Sequence, residues 1–395
     1  MEVQNKTYLL YLDGLRATAA LFVVLHHITL QFQFKDFLAL NFCERYSIFI
    51  FLRSGHYAVD FFIVLSGFCL TIPMVKANEF KFRDNILSFY KKRMKRIILP
   101  YFFALATSLI LIHFFIGVKT GTHWDVSIPV TRKDIITHLF LIQDFFNSTF
   151  VKINHAFWSI SVECRLYLFF PLLLFIWRRF GGFASLLVSV FISIIMLLVT
   201  VFLTRNYNSD ITIYEDGINP YLILFTCGML ACEVALGNKT NFIWLRNKLP
   251  WGLITILLTI FIFVFQRLTA GSKFAYWFEF MDITLGCWGF SLLIVVSNGR
   301  LWLQKLFSYK PLVFIGTFAY SIYLIHAPLI QLIWQYLINP LGLSDLKGYY
   351  ALVLIGTPLI LGVSYLFYLA FERPFMNHKK PQLNSDTNIN NWVNL

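Results

Sequence analysis

The sequence predicts an all-α, polytopic transmembrane bundle of about ten helices with both termini in the cytosol. Apolar side chains make up 58% of its 395 residues and charged ones only 13%, against roughly 45–50% and about 25% in soluble domains. Runs long enough to cross about 30 Å of hydrocarbon, some 20 residues at 1.5 Å each, recur along the chain. Between them, Lys and Arg are dense in one set of connections and sparse in the alternate set.

The runs lie near 15–33, 55–75, 97–117, 157–177, 183–204, 219–236, 250–267, 281–297, 311–336 and 350–371. The sixth and eighth are short and carry Gly228 and Gly286. With the N-terminus inside, and with Arg16 and Arg267 at the ends of their runs counted with the adjoining connections, the inner connections hold 21 Lys and Arg and the outer ones 11, leaving only Arg165 in the interior of a run. Positive residues are retained on the cytosolic side, so both termini are expected there. The 44 Phe, 19 Tyr and 10 Trp suit a surface facing acyl chains and headgroups. One transmembrane domain is expected over 1–378, followed by an Asn-rich, disordered cytosolic tail at 379–395. The first run begins with Asp13 and Arg16 and no small-residue cleavage pattern follows it, which argues against a removed signal peptide.

A net charge of +13 invites a nucleic-acid partner, but the densest run, Tyr90-Lys-Lys-Arg-Met-Lys-Arg96, abuts an apolar segment. The run serves either as an anchor on anionic lipid or as a site for an anionic cosubstrate, and no nucleic acid is expected. The six cysteines form no CxxC or paired His/Cys spacing, so no metal is expected.

Ionisable side chains at membrane depth cost several kcal/mol unless they face protein or water, which makes each a functional candidate. They are His26, His27, Asp60, Glu163, Arg165, Asp282 and His326. Arg16 and His27 stand eleven residues apart, which on a helix is about 20° in azimuth and about 16 Å in height. They share a face and suit two parts of one elongated ligand. His26 points about 100° away, so at most one of the two histidines serves that cavity. An imidazole with an ordinary pKa near 6.5 suits a general base; the alternative is a histidine satisfied by a neighbouring carbonyl. Glu163 either supports an imidazolium, as the acid of a catalytic triad does, or pairs with an arginine from another run. Arg165, two residues on, does not face it.

Six blocks in order resemble the acyltransferase type 3 family of membrane acyltransferases. They are Tyr11-Leu-Asp-Gly-Leu-Arg16 with His27, Asp60-Phe-Phe-Ile-Val-Leu-Ser-Gly-Phe68, and Lys92-Arg-Met-Lys-Arg-Ile-Ile-Leu-Pro-Tyr101. Trp158-Ser-Ile-Ser-Val-Glu163, Ser321-Ile-Tyr-Leu-Ile-His-Ala-Pro-Leu329 and Phe371-Glu-Arg-Pro374 complete the set. The resemblance implies His27 as the catalytic residue, with Arg16, Arg93 and Arg96 binding an acyl-CoA, acetyl-CoA first among them, as cosubstrate. It implies acyl transfer to a hydroxyl of a sugar or glycolipid acceptor in cell-envelope or secreted polysaccharide, by a multi-pass protein of a bacterial inner membrane.

The general-base role would fall to His27 and an orienting or charge-stabilising role to Glu163, with direct transfer and an acyl-histidine both open. Cys164 and Arg165 depart from the acidic or aromatic residue and Gln that often follow the family's glutamate. The chain ends about twenty residues after its last run, so the esterase-like domain of some members is not expected. A secondary transporter or flippase is the rival reading, since buried charges also mark transport paths. Such proteins often show repeated halves, and the sequence shows none.

Overall fold

The computed structural model describes residues 9–32, 52, 54–82, 85–207, 220–269, 277–299 and 302–376. The expected tail at 379–395 and Cys43 lie outside these residues, as do several of the charges used for orientation, among them Lys6, Lys35, Arg45 and Lys273. Among the described residues the structure is helical, with no strand. In chain order the helices are α1 (Leu10–Leu30), α2 (His56–Ala77), α3 (Ile86–Leu111), α4 (Arg132–Leu139), α5 (Trp158–Phe180), α6 (Gly182–Tyr207), α7 (Tyr221–Leu236) and α8 (Thr240–Lys248). They continue with α9 (Trp251–Thr269), α10 (Trp277–Ser297), α11 (Trp302–Phe307), α12 (Lys310–Gly316), α13 (Ala319–Ile333), α14 (Asp345–Ala351) and α15 (Thr357–Phe367).

Seven helical stretches among the described residues are long and apolar enough to cross a membrane, and α7 with α8, bent by 91°, makes an eighth if the pair is one span. The chain is therefore a multi-pass membrane protein. Two of the ten expected runs fall on helices outside that class. α1 has 21 residues but carries Asp13, Arg16, His26 and His27, and the apolar stretch Trp251–Gln266 is shorter. The sixth run, short in the sequence, is the one that turns at Gly237 into α8.

α6 shows what faces lipid. Its exposed side chains Phe183, Leu187, Phe191, Ile194, Leu198 and Phe202 are all apolar and follow helical spacing. α1 is instead enclosed by α2, α11, α12 and α13, with Leu15, Ala17, Ala20, Val24 and Ile28 almost wholly buried. α2 packs most extensively on α7, and two glycines permit it. A Cβ on Gly67 would lie 2.0 Å from the Phe225 carbonyl oxygen, and one on Gly228 would lie 1.9 Å from that of Val64. In lipid, close backbone approach at small residues drives helix association, because burial of apolar surface gains little there.

Residues 117–157 form an ordered cap over one end of the bundle. Asp125 accepts the backbone N–H groups of Thr120 and Gly121, and Trp124 donates to the Ile116 carbonyl. α4 starts with a reciprocal capping box between Thr131 and Asp134. Gln331 of α13 holds the cap down with both ends of its amide. Its oxygen accepts from Gln31 (2.6 Å) and Thr122 (3.0 Å), and its nitrogen donates to Thr120 (3.0 Å). A second tether follows from a proline. Pro328 has no N–H for the Leu324 carbonyl one turn earlier, and Asn154 Nδ2 donates to that oxygen at 3.0 Å.

Candidate active site

A cavity of about 1060 Å³ opens at the end of the bundle where α1 and α3 begin. Arg16 enters it from α1, Ser66 and Cys69 from α2, Arg93 and Arg96 from α3, Ser159, Glu163 and Tyr167 from α5, and Tyr320 and Tyr323 from α13. Glu372, after α15, lines it too and accepts from Ser321 at 2.5 Å. Four of the five residues expected to form the site, Arg16, Arg93, Arg96 and Glu163, are thus brought together. His27 is not among the lining residues.

Arg16 is held in place by its own helix and by α2: Nη1 donates to Asp13 at 2.5 Å and Nη2 to the Cys69 sulfur at 3.1 Å. The guanidinium of Arg93 stands over the rings of Phe89 and Tyr167, at 6.0 and 5.9 Å. Glu163 accepts from the Tyr167 hydroxyl, one turn on, and from Ser66 at 3.4 Å. Arg165 faces away and engages Asp144 with both terminal nitrogens of its fork. The hydrogen bonds of Glu163 come from hydroxyls, and Arg93 of α3 shares the cavity with it as an electrostatic partner.

His27 sits in a layer of imidazoles toward the cap. Its ring centroid is 4.7 Å from His26, 4.6 Å from His155, 4.9 Å from His326 and 6.1 Å from His123. The hydrogen bonds of His326 settle a tautomer. His326 Nδ1 lies 2.8 Å from the Tyr323 carbonyl oxygen and 3.1 Å from that of Ile322. Carbonyls only accept, so this nitrogen carries the proton, and a neutral His326 presents its Nε2 lone pair. That nitrogen lies 2.8 Å from His27 Nδ1. His27 therefore donates through Nδ1, and its own Nε2 keeps the lone pair that a base needs.

His26, one residue back, is engaged elsewhere: its Nδ1 lies 2.7 Å from the Leu52 carbonyl and 3.2 Å from the Gly55 nitrogen. On the cap, burial holds His155 well below the ordinary imidazole pKa, with His123 and His326 adding to the effect. Burial lowers His123 as well. Both cap imidazoles are therefore neutral at pH 7, and His155 Nδ1 is within 3.0 Å of the Ser127 hydroxyl. One nitrogen from each of His27, His123 and His155 lies within 4.8 Å of the others, a spacing that a shared ligand or cation between them would use.

Tyr323 joins the two compartments. It lines the arginine cavity, and its ring lies 5.8 Å from that of His326. Its hydroxyl donates to the Ala156 carbonyl at 3.0 Å and takes a hydrogen bond from Ser159 at 2.6 Å.

A family model described as an acyltransferase domain matches residues 9–369. The chain belongs to the acyltransferase type 3 family. The three arginines of the cavity and the histidine layer lie inside the span that the acyltransferase model covers, and Glu372 lies just beyond it. Among curated proteins, the peptidoglycan O-acetyltransferase OatA of Listeria monocytogenes is 24% identical over 352 residues, 83% of this chain and 50% of the relative. The O-acetyltransferase OatA of Staphylococcus aureus is 25% identical over 395 residues, 93% of this chain and 57% of the relative. The chain thus spans about half the length of the curated relatives it matches. No solved structure matches it.

Sequence reasoning reached His326 as an intramembrane ionisable residue but assigned it no part in the site. It missed His123 altogether and gave His155 no role. The usable signal for His326 was its place in the Ser321–Leu329 block. His123 and His155 sit in a 41-residue connection, 117–157, whose folding back over α1 no local pattern announces.

Proposed function

We propose that this chain is a membrane O-acyltransferase that moves an acyl group, acetyl first, from acyl-CoA to a hydroxyl of a cell-envelope glycan. The family and the names of the relatives support the reaction class. The observation that carries the reading is His27, with Nδ1 donating to His326 and Nε2 bearing a lone pair, set beyond a cavity that holds three arginines.

Acyl-CoA is elongated, with phosphates at one end and the thioester at the other. Arg16, Arg93 and Arg96 suit the phosphates, since a guanidinium fork donates paired hydrogen bonds to them. His27, about 16 Å further along α1, suits the thioester end. In the proposed step His27 Nε2 takes the acceptor hydroxyl proton as that oxygen attacks the thioester carbonyl. The carbon–oxygen bond forms, the carbon–sulfur bond breaks, and the imidazolium returns its proton to the thiolate. His326 Nε2 accepts from Nδ1–H throughout and so stabilises the charge on the ring. Glu163, bound to hydroxyls in the cavity, is assigned an orienting role and no direct contact with the imidazolium. The arginine end faces the cytosol and both termini lie on that side, as the charge asymmetry supports. A bacterial cell membrane is the proposed location, in keeping with the bacterial source of the relatives.

The test is transfer of labelled acetyl groups from acetyl-CoA to a glycan by the purified full chain in detergent. His27→Ala is expected to lose about 10²–10⁴-fold in kcat while inserting normally. Arg93→Ala is expected to raise the KM for the donor about tenfold or more with a smaller change in kcat. Full transfer by His27→Ala, or an unchanged donor KM in Arg93→Ala, overturns the corresponding role.

A further inference from the structure

Away from the histidine layer, at the start of α2, three ligand-bearing side chains converge. His56 and Asp60 stand four residues apart on α2 and so share a face, and Asp282 reaches them from α10. One atom from each lies within 4.8 Å of the other two, and His56 Nε2 is 3.5 Å from Asp282 Oδ1. Asp60 is completely buried, and neither of its carboxylate oxygens has a hydrogen-bond donor. Asp282, 5% exposed, has no donor on Oδ1. Buried carboxylates that lack donors are costly, more so in a membrane.

We propose that His56, Asp60 and Asp282 bind one divalent first-row cation of the zinc or manganese class. Two carboxylates balance the charge of a divalent ion. An imidazole beside them shifts preference from calcium and magnesium, which take oxygen alone, toward metals that accept nitrogen and oxygen together. The His56 side chain is 30% exposed, so the site has an entry and room for water in the remaining coordination positions.

The cation joins α2 to α10, and its effect extends to α1. Gly55 adjoins His56, and its nitrogen lies 3.2 Å from His26 Nδ1. The two are in such close contact that a Cβ on Gly55 would lie 2.2 Å from the His26 ring. A cation on His56 therefore fixes the turn on which His26 rests, and the His26 ring is 4.7 Å from His27. The sequence offered no expectation of a metal because its ligands follow no Cys or paired-His spacing; the third lies 222 residues after the second.

The test uses the purified full chain, stripped with a chelator and titrated with Zn²⁺ or Mn²⁺. Metal content is read by mass spectrometry, Mn²⁺ by its paramagnetic resonance, and stability by Tm. One equivalent is expected to bind and to raise Tm by roughly 3–5 °C at saturation. Asp60→Asn and Asp282→Asn are expected to lose both effects. His56→Ala, at a partly exposed position, is expected to weaken binding at least tenfold. Any of these results overturns the proposal: no Tm response to either cation, binding retained in both Asn variants, or binding abolished only by His155→Ala. So does a stripped protein that is stabilised by acid and indifferent to metal, which would make the carboxylates a proton-sharing pair.

Discussion

At the scale of single residues, the proposed mechanism gives His326 the part that an acid plays in a triad, as the acceptor that orients the His27 ring. His326 Nδ1 is committed to backbone carbonyls, so its Nε2 accepts from His27 and fixes which nitrogen of His27 is basic. Removing it leaves the imidazole free to adopt the wrong tautomer, a fault that costs orders of magnitude in triad enzymes. His326→Ala is expected to lower kcat about 10²-fold or more with little change in the donor KM. His326→Gln, whose amide oxygen accepts in the same direction, is expected to recover part of the loss. Equal losses in both variants, or a loss seen chiefly in KM, would contradict this role. The local part of this constellation was legible before folding. The phase relation of Arg16 and His27 follows from helical periodicity alone, and α1 runs unbroken through both. The same periodicity puts Tyr167 one turn from Glu163, where it donates. His155 and His123 were not legible, because nothing in a long connection fixes where its side chains come to rest.

Helices in this protein meet where side chains are missing. Gly67 and Gly228 bring α2 and α7 to backbone contact, and the atoms that a new methyl group would meet are carbonyl oxygens, which cannot rotate away as a side chain can. Gly228→Ala is expected to destabilise the chain by about 1–3 kcal/mol. Gly362→Ala, in α15 with nothing within 4 Å of the added carbon, is expected to be neutral or mildly stabilising through helix propensity. Thermal unfolding of the two variants in one detergent checks this, and equal shifts would refute it. The prolines act at the same scale by releasing carbonyls that other elements use, as Pro328 releases Leu324 for Asn154. That hydrogen bond ties the cap beside His155 to α13, the helix that carries His326.

Across the whole molecule, the longest spans show that the site has two ends. The stretch Ile86–Ile116 has 31 residues, about 46 Å of helix, which exceeds the hydrocarbon thickness of about 30 Å. Lys91 and Lys119 therefore lie on opposite sides of the membrane. The arginine cavity is at the Lys91 end, and the cap with His123 and His155 is at the Lys119 end. In a background with the native cysteines replaced, Lys119→Cys in intact cells is expected to react with an impermeant maleimide. Lys91→Cys is expected to react only after permeabilisation. The reverse pattern would invert the orientation and put the arginines outside.

The sequence by itself determined the membrane environment, the helical class and the family, because each depends on composition, run length or ordered local blocks. It also set the face that Arg16 and His27 share, since both lie on one helix. Tertiary structure alone decided that Arg16, Arg93, Arg96 and Glu163 form one cavity while His27 belongs to an adjoining layer of imidazoles. It also decided which nitrogen of His27 is basic, and that His56 and Asp60 meet Asp282. The reason is physical. Helical phase is carried by consecutive residues, whereas the partners of a buried polar group come from distant segments whose packing depends on where glycines permit approach and how the cap closes.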